Sequence, residues 1–349
     1  ITFFPSFVYT SAGLRATLRP YQVEGLEWAG RLAHWAKGAC LADEMGLGKT
    51  LQALALLLRR EPLGRALVIA PTSVVPNWLR EAARFAPTLG VSGIARGAAL
   101  DELDAGEPVV VTSWDLVVRH EERFKAIDWA TVVLDEAHAM KNAATRRAQV
   151  AKGLPAGFVL ALTGTPVENR PSELWSLFQA VAPGLLGSAE SFRDTHAKAI
   201  EGGDPEATRR LARLVRPFIL RRRKDEVASD LPTTSEVRVD VVLSTEERER
   251  YERVRKSALA ELAKEGNDGQ TAGRQVFKVL VVLTRLRQLA CHARLVEPQA
   301  GPSSAKLERL MELAVELRDE GKRLCAEGQI RPGIIRLRRA IMLLRAPAP

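Results

Sequence analysis

The chain has 349 residues, of which 46% are hydrophobic and 27% are charged, a balance typical of globular proteins with a buried core. Lysine and arginine exceed aspartate and glutamate by nine charges, and such an excess suits a polyanionic partner without establishing one. The three cysteines lie far apart and the five histidines occur singly, so the sequence offers neither a disulfide framework nor the ligand spacing of a zinc site.

The N-terminal stretch ITFFPSFVYT has neither the basic start nor the cleavage site of a secretory signal. No apolar run in the chain reaches the length that a bilayer-crossing helix needs. We therefore expect a cytoplasmic protein that has no membrane partner.

Between residues 38 and 165, short apolar runs alternate with segments of helical periodicity. Continuous apolar runs are typical of parallel strands buried on both faces, and the segments between them predict α/β units. Polar motifs follow four of the five runs, at the edge where ligands bind in such sheets. The sequence therefore predicts an α/β fold with its functional site at the carboxyl edge of a parallel sheet. The runs are residues 38–42, 66–70, 108–112, 131–135 and 158–162.

The first of these motifs, LADEMGLGKT at residues 41–50, nearly matches the phosphate-binding pattern G-x-x-x-x-G-K-[ST]. Asp43 stands where that pattern has its first glycine. Backbone N–H groups from Gly46 to Lys49 would face phosphate oxygens, aided by the start of the following helix. Lys49 would neutralise phosphate charge, and Thr50 would bind Mg²⁺. The alternative is a glycine turn before an amphipathic helix, with a solvated lysine.

The motif Asp135-Glu136-Ala137-His138 follows the fourth apolar run. A carboxylate at a strand end can hold Mg²⁺ through water, and its neighbour can orient and deprotonate an attacking water. The alternative is an acidic loop that caps the sheet. The G-K-T loop earlier in the same chain favours the interpretation as a metal and water site.

After about residue 170 the periodicity becomes mainly helical. Residues 209–224 (RRLARLVRPFILRRRK) hold eight basic side chains and no acidic one, which favours phosphate contact or, alternatively, a solvated helix face. The expected division of the chain is a lobe at 1–180, a mainly helical region at 181–321 and a divergent basic tail at 322–349.

Taken in order, these motifs resemble those of the Swi/Snf-type ATPases, the chromatin-remodelling and DNA-translocating branch of helicase superfamily two. DEMGLGKT is the form that the phosphate loop takes in this family, which accounts for Asp43. The resemblance extends over roughly residues 14–321 and implies a RecA-like parallel sheet flanked by helices, with a mainly helical protrusion. Other segments that carry it are LRPYQVEGLEWA (18–29), LVIAPTSVVPNWLREAARF (67–85), VVVTSWDLV (109–117), LDEAHAMKN (134–142), ALTGTPVENRPSELWSLF (161–178) and RPFILRRRKDEVASDLP (216–232).

The resemblance implies that the chain is an ATPase with ATP and Mg²⁺ as ligands. Its implied catalytic residues are Lys49, Asp135 and Glu136, of which Glu136 would act as the base. The implied nucleotide contacts are Gln22 at the adenine and Gly46, Gly48, Lys49 and Thr50 at the phosphates, with Thr50 and Asp135 at the metal. The residues implied to couple this site to the nucleic acid are His138, Thr163 and Thr165.

The resemblance also implies double-stranded DNA as a partner, contacted along its backbone. Small hydroxyl side chains suit phosphate contact without base recognition. The implied contacts are Thr72, Ser73, Thr112, Ser113 and Trp114, for which the alternatives are a hydroxyl turn and a core tryptophan. A protein partner or a nucleoprotein target is a further expectation, and the DNA would be that of a nucleoid or, in a eukaryote, of a nucleus.

Two other functions remain open from the sequence: a DEAH-type RNA helicase, and a catalytically silent fragment that binds nucleic acid or a partner. The family resemblance also implies a second RecA-like lobe, which supplies an arginine to the γ-phosphate. Motifs of that lobe do not follow residue 323. We therefore expect the second lobe to be absent and this chain alone to be a weak or inactive ATPase.

Overall fold

The computed structural model of the chain describes residues 13–94, 100, 103, 106–165, 170–227, 238–265, 272–302, 304–329 and 336–337. The chain forms two compact units, Ile1–Thr233 and Thr234–Pro349. None of the described helices combines the length and the apolar character that crossing a membrane requires.

The first unit is built on a seven-stranded sheet with the strand order β3-β4-β2-β5-β6-β1-β7, in which every neighbouring pair is parallel. The five predicted apolar runs all lie in this sheet, which confirms the predicted parallel α/β architecture. The strands are β1 (Gly38–Leu41), β2 (Ala66–Ala70), β3 (Val91–Ile94), β4 (Val109–Ser113), β5 (Trp129–Leu134), β6 (Ala156–Leu162) and β7 (Ile219–Leu220).

Helices connect the strands and cover both faces of the sheet. The first of them after β1 begins directly behind a glycine turn, and its central residues, Ala53 to Leu58, are all buried. The helices of this unit are α1 (Pro20–Leu32), α2 (Lys49–Arg60), α3 (Val75–Phe85), α4 (Trp114–Arg119), α5 (Glu121–Lys125), α6 (Arg146–Gly153), α7 (Pro171–Val181), α8 (Ala189–Phe192), α9 (Lys198–Glu201), α10 (Pro205–Val215) and α11 (Lys224–Val227).

The core lies on both faces of the sheet because successive strand residues point to opposite sides. In β2, Ala66, Val68 and Ala70 pack with α1, α2 and α3, whereas Leu67 and Ile69 pack on the other face. A third cluster, centred on Phe178 and Phe192, holds α7, α8 and α10 together. The continuous apolar strands of the sequence thus reflect burial on both faces.

Two short strands were not predicted. β3 has the sequence VSGI and is only half-buried along most of its length, so it carries no continuous apolar run. β7 contains only two residues and lies at the opposite edge, paired with β1. Because β7 returns to the sheet after α10, the first compact unit continues to residue 233, beyond the boundary that the sequence placed at 180.

The described part of the second unit is helical: α12 (Thr245–Glu265), α13 (Ala272–Cys291) and α14 (Ala305–Ala326). The hydroxyl of Ser304, a buried residue, donates to the carbonyl of Cys291 at 2.8 Å and ties the start of α14 to the end of α13. The side chain of Glu247 accepts the backbone N–H of Ala305 at 3.2 Å, which joins α12 to the same point.

Candidate nucleotide site

The glycine turn between β1 and α2 has the geometry of a phosphate-binding loop. Gly46 and Gly48 have φ angles of 87° and 77°, in the left-handed region that favours glycine. A Cβ atom on Gly48 would lie 2.5 Å from Nε2 of Gln22, so a side chain at this position would also clash. Both glycines also line an open groove, so the backbone at the start of α2 is accessible to a ligand, as the sequence predicted for a phosphate.

Lys49 is the first residue of α2, and its side chain folds back over the loop. Its Nζ atom donates to the carbonyl oxygen of Asp43 at 2.8 Å. Partial burial lowers the pKa of Lys49, while the nearby carboxylates of Glu136, Asp43 and Asp135 act in the opposite direction. The ammonium group is thus held among negative groups at the mouth of the loop.

Gln22 and Tyr21 on α1 both form hydrogen bonds to the loop. Nε2 of Gln22 and the hydroxyl of Tyr21 each donate to the carbonyl oxygen of Leu47 at 3.1 Å. Oε1 of Gln22 accepts the backbone N–H of Arg19 at 2.9 Å. The amide of Gln22, expected at the adenine, therefore also fixes the loop in place.

Asp135 follows β5, and two tryptophans donate to it. Nε1 of Trp78 donates to Oδ2 at 2.7 Å, and Nε1 of Trp114 donates to the backbone carbonyl at 3.2 Å. Burial raises the pKa of Asp135, whereas the bonds from Trp78 and from the backbone N–H of Glu136 lower it. Trp78 was not predicted as a site residue, although its position on the buried face of α3 follows from the apolar periodicity of the sequence.

Glu136 is held in an unusual backbone conformation. Its φ of 47° is the only positive φ among the described residues other than glycine. Such conformations are strained in residues with a Cβ and cluster at functional sites. Its Oε2 lies 3.0 Å from Nδ1 of His138, which fixes the carboxylate against the following turn.

A groove of about 810 Å³ brings the predicted residues of the loop and of the acidic motif together. It is open along one side and takes in much of the surface of α3. The predicted residues that line it are Gly46, Gly48, Lys49, Thr50, Asp135 and Glu136, and the lining residues that were not predicted include Asn77, Arg80, Glu81 and Arg84. Arg80 and Arg84 are four residues apart on α3, so their common face could have been recognised from the helical spacing.

The donors in this groove fit a magnesium ion bound together with a nucleotide. Magnesium is commonly held by one or two protein oxygen ligands, with phosphates and water completing an octahedron. Thr50 supplies a hydroxyl and Asp135 a carboxylate, both on the groove wall. Within the described residues, no group of three or more acidic, histidine or cysteine side chains forms a protein-only metal site.

The residues expected to couple nucleotide and nucleic acid lie at the same edge of the sheet. Thr163 follows β6 and is buried, and its hydroxyl accepts the backbone N–H of Thr165 at 3.1 Å. The backbone N–H of Thr163 donates to the carbonyl of Leu41 at the end of β1. His138 contacts Glu136, so this edge links all three motifs.

The residues expected to contact DNA divide into two groups. Thr72 and Ser73 are exposed in the turn after β2. In contrast, Thr112 is fully buried and donates its hydroxyl to the carbonyl of Ile94 at 3.2 Å, and the hydroxyl of Ser113 accepts the N–H of Leu116 as a helix cap. Trp114 is also buried, with its N–H directed to Asp135. The side chains of this second group are occupied within the lobe, so a direct side-chain contact with DNA is proposed below only for Thr72 and Ser73.

The parallel sheet, the glycine loop and the paired carboxylates define a RecA-like nucleotide-binding lobe. Residues 21–295 match the family model of the SNF2-related domain, and the chain belongs to this family. The resemblance to the Swi/Snf-type ATPases is thereby confirmed.

Individual relatives give the same assignment. YwqA of Bacillus subtilis, named as a candidate ATP-dependent helicase/translocase, is 38% identical over 330 residues, which cover 89% of this chain and 35% of the relative. The chromatin-remodeling ATPase INO80 of Arabidopsis thaliana is 34% identical over 323 residues, which cover 85% of this chain and 21% of the relative. This chain thus spans about a third or less of these relatives.

The solved SWI2/SNF2 ATPase core of Sulfolobus solfataricus, in complex with dsDNA, has the same fold. It matches with a TM-score of 0.63 and 33% identity, over 90% of this chain and 67% of that chain. The RecA-like α/β fold that the resemblance implied is therefore confirmed.

The bond from Trp78 to Asp135 predicts a pH effect. Trp78→Phe keeps an aromatic ring but removes the indole N–H. Since the bond from this N–H lowers the pKa of Asp135, the pKa of Asp135 should be higher in the variant. A protonated carboxyl group cannot hold Mg²⁺, so Mg²⁺-dependent binding of a fluorescent ATP analogue should fail at a higher pH than in the parent during acidification. Hydrogen bonds to charged groups contribute about 1.5–3 kcal/mol, so binding should weaken by about tenfold or more at the acidic end.

Fluorescence polarisation of the analogue measures this effect between pH 5 and 8, which is roughly the range in which carboxyl groups with a raised pKa gain a proton. Trp35→Phe is the matched control, because Trp35 is exposed and lies outside the groove. Superimposable pH profiles for the parent and the Trp78 variant would contradict the role of the indole.

Proposed function

We propose that this chain is the nucleotide-binding lobe of an ATP-dependent double-stranded DNA translocase or remodelling ATPase. The observation that carries the proposal is the groove, which places Lys49 and Thr50 from the loop beside Asp135 and Glu136 from the acidic motif. Phosphoryl transfer depends on positioning and charge stabilisation, and these four side chains are the types that both tasks require.

Each side chain has a separate task in this proposal. The N–H groups around Gly46 and Gly48 bind phosphate oxygens, and Lys49 exchanges its bond to the Asp43 carbonyl for a phosphate. Thr50 and Asp135 hold Mg²⁺, which supplies charge stabilisation on the phosphates when it is bound. Glu136 orients a water molecule and accepts its proton.

Coupling to the nucleic acid is assigned to His138, Thr163 and Thr165. His138 contacts the proposed base, and Thr163 is bonded to the end of β1 just before the phosphate loop. A change at the γ-phosphate would therefore reach two neighbouring strand ends directly.

Duplex DNA is the proposed partner, and its backbone is the proposed contact. The chain has a formal net charge of +9, and the exposed hydroxyl residues Thr72 and Ser73 lie in the turn after β2. The family assignment and the solved relative in complex with dsDNA favour a DNA translocase over a DEAH-type RNA helicase. Chromosomal DNA would place the protein in a nucleoid or a nucleus, and a nucleoprotein target fits the same proposal.

The remaining rival is a catalytically silent fragment that binds nucleic acid. We propose that this chain binds ATP but turns it over slowly, because an arginine from a second lobe contributes about 10³–10⁵ in rate in related phosphoryl-transfer enzymes. Full turnover would then belong to a longer protein that carries both lobes.

Two substitutions separate nucleotide binding from chemistry. Lys49→Ala should weaken the binding of an Mg²⁺–ATP analogue by tenfold or more, since a charge-assisted bond contributes about 1.5–3 kcal/mol. Glu136→Gln should leave binding nearly intact but lower phosphate release by about 10²–10⁴, the usual contribution of a general base, in a protein extended to carry a second lobe.

Lys152→Ala, at an exposed lysine of α6, serves as the control for charge removal. If the Lys49 variant bound the analogue as tightly as the parent, the assignment of the phosphate loop would be wrong. An unchanged rate of phosphate release in the Glu136 variant would remove Glu136 from the role of base, whereas analogue binding without any phosphate release in the extended parent would favour the silent fragment.

Backbone contact predicts binding to duplex DNA that ignores sequence and weakens with salt. The log–log slope should be about −0.9 for each phosphate contacted. The double variant Thr72→Ala/Ser73→Ala should weaken binding by about 30-fold, at about 1 kcal/mol for each lost hydrogen bond. Ser191→Ala/Thr195→Ala removes two exposed hydroxyl groups elsewhere and should have no effect.

Duplexes of two unrelated DNA sequences and one RNA duplex, titrated at several salt concentrations, complete the measurement. Strong preference for one DNA sequence would refute backbone recognition, and preference for the RNA duplex would favour the RNA helicase.

A further inference from the structure

Arg222 is a buried arginine whose guanidinium contacts Asp43 of the phosphate loop. It follows β7 and is only 8% exposed. Its Nε and Nη2 atoms donate to Oδ1 and Oδ2 of Asp43 at 2.9 and 2.6 Å, and Asp43 is completely buried. This two-point contact between a guanidinium and a carboxylate fixes both distance and orientation.

The same guanidinium also contacts both helices that flank the loop. Nη2 donates to Oε1 of Gln52 on α2 at 3.1 Å, and Nη1 donates to the backbone carbonyl of Tyr21 on α1. The guanidinium carbon also lies 5.2 Å from the centre of the Tyr21 ring. A Cβ on Gly25 of α1 would come within 2.8 Å of Nη2 of Arg222, so α1 approaches this closely only because Gly25 has no side chain.

The side chain of Asp43, rather than its backbone, accounts for its place in the loop. The usual phosphate-loop pattern has a glycine there, but Asp43 is not among the described residues with positive φ. Its carboxylate binds Arg222, with a further bond from Nε2 of Gln52 at 3.3 Å, while its carbonyl accepts Nζ of Lys49. Asp43 therefore connects Arg222, which binds its carboxylate, to Lys49, which binds its backbone carbonyl.

Backbone bonds join the loop to the same segment. The N–H of Ala42 donates to the carbonyl of Leu220 at 2.7 Å, and the N–H of Glu44 donates to the carbonyl of Arg222 at 3.0 Å. In return, the N–H of Lys224 donates to Oε2 of Glu44 at 2.8 Å. The first half of the loop is thus paired along its length with residues 220–224.

We propose that Arg222 is a positioning residue that sets the phosphate loop for nucleotide binding through Asp43. The proposal rests on the nucleotide site proposed above. Under this proposal, the affinity for the triphosphate depends on β7 and the residues that follow it. This segment lies far from the phosphate loop in sequence. A buried pair that served stability alone would be replaceable by apolar side chains of similar size without loss of function.

The test compares nucleotide affinity with thermal stability in the purified chain. All six tryptophans lie between residues 28 and 175, so tryptophan fluorescence follows the unfolding of the first unit. Polarisation of an Mg²⁺–methylanthraniloyl-ATP probe gives the dissociation constant. Arg223→Gln is the matched control, because Arg223 is the exposed neighbour and its side chain pairs with Asp225 at the surface.

Arg222→Lys keeps the charge but loses the two-point contact, and it should weaken probe binding by about 10–100-fold, as losses in a supporting shell do. The double variant Arg222→Met/Asp43→Leu replaces the buried pair by apolar side chains and should melt near the parent temperature while binding the probe as weakly as Arg222→Lys. If the lysine variant does not fold, the apolar pair decides the question.

Parental affinity in either folded variant would overturn the positioning role. Lys49→Ala distinguishes a failure of the proposed nucleotide site from a failure of the positioning role of Arg222. If it binds the probe as the parent does, the nucleotide site itself is wrong. If it loses the probe while the Arg222 variants keep it, only the positioning role fails.

Discussion

The parallel pairing of β5, β6 and β1 sets the position of every residue proposed for nucleotide chemistry. In the register of this sheet, Leu134 lies opposite Ala161, and Leu41 lies opposite Leu162. The three strands therefore end at nearly the same level, and the residues that follow them meet at one edge. The phosphate loop, the acidic motif and Thr163 come from distant parts of the sequence, yet the register brings them to one edge, where the loop and the acidic motif line a common groove. This is the edge at which parallel α/β sheets generally bind their ligands.

The site keeps charges where burial disfavours them. Burial lowers the pKa of Lys49 and raises that of Asp135, so partial removal from water disfavours the charged forms, which are the forms that bind phosphate and metal. Glu136 adds a strained backbone conformation at the same place. A triphosphate and a divalent cation would complete the charge balance, because the cation faces the carboxylates and the phosphates face Lys49 and the backbone N–H groups. The surrounding bonds from Trp78, Gln22 and Arg222 hold this arrangement in place.

Much of this architecture could be predicted from the sequence, because its signals are local. The apolar runs predicted five strands, and the spacing of Gly46, Gly48 and Lys49 predicted the loop. The contacts that orient the site could not be predicted, because they join residues that no periodic pattern relates: Arg222 and Asp43 are 179 positions apart, and Trp78 and Asp135 are 57 apart. Thr112 and Trp114 show a different limit of prediction from sequence. They were expected to contact DNA phosphates, whereas the fold buries both side chains.

The central claim is that the triphosphate binds in the groove between the loop and the acidic motif. A crystal structure of this chain with Mg²⁺ and a non-hydrolysable ATP analogue tests it most directly. The account predicts that Nζ of Lys49 leaves the carbonyl of Asp43 and contacts a phosphate oxygen, with the metal bound by Thr50 and Asp135. A nucleotide bound elsewhere on the chain, with the bond between Lys49 and Asp43 unchanged, would contradict the account.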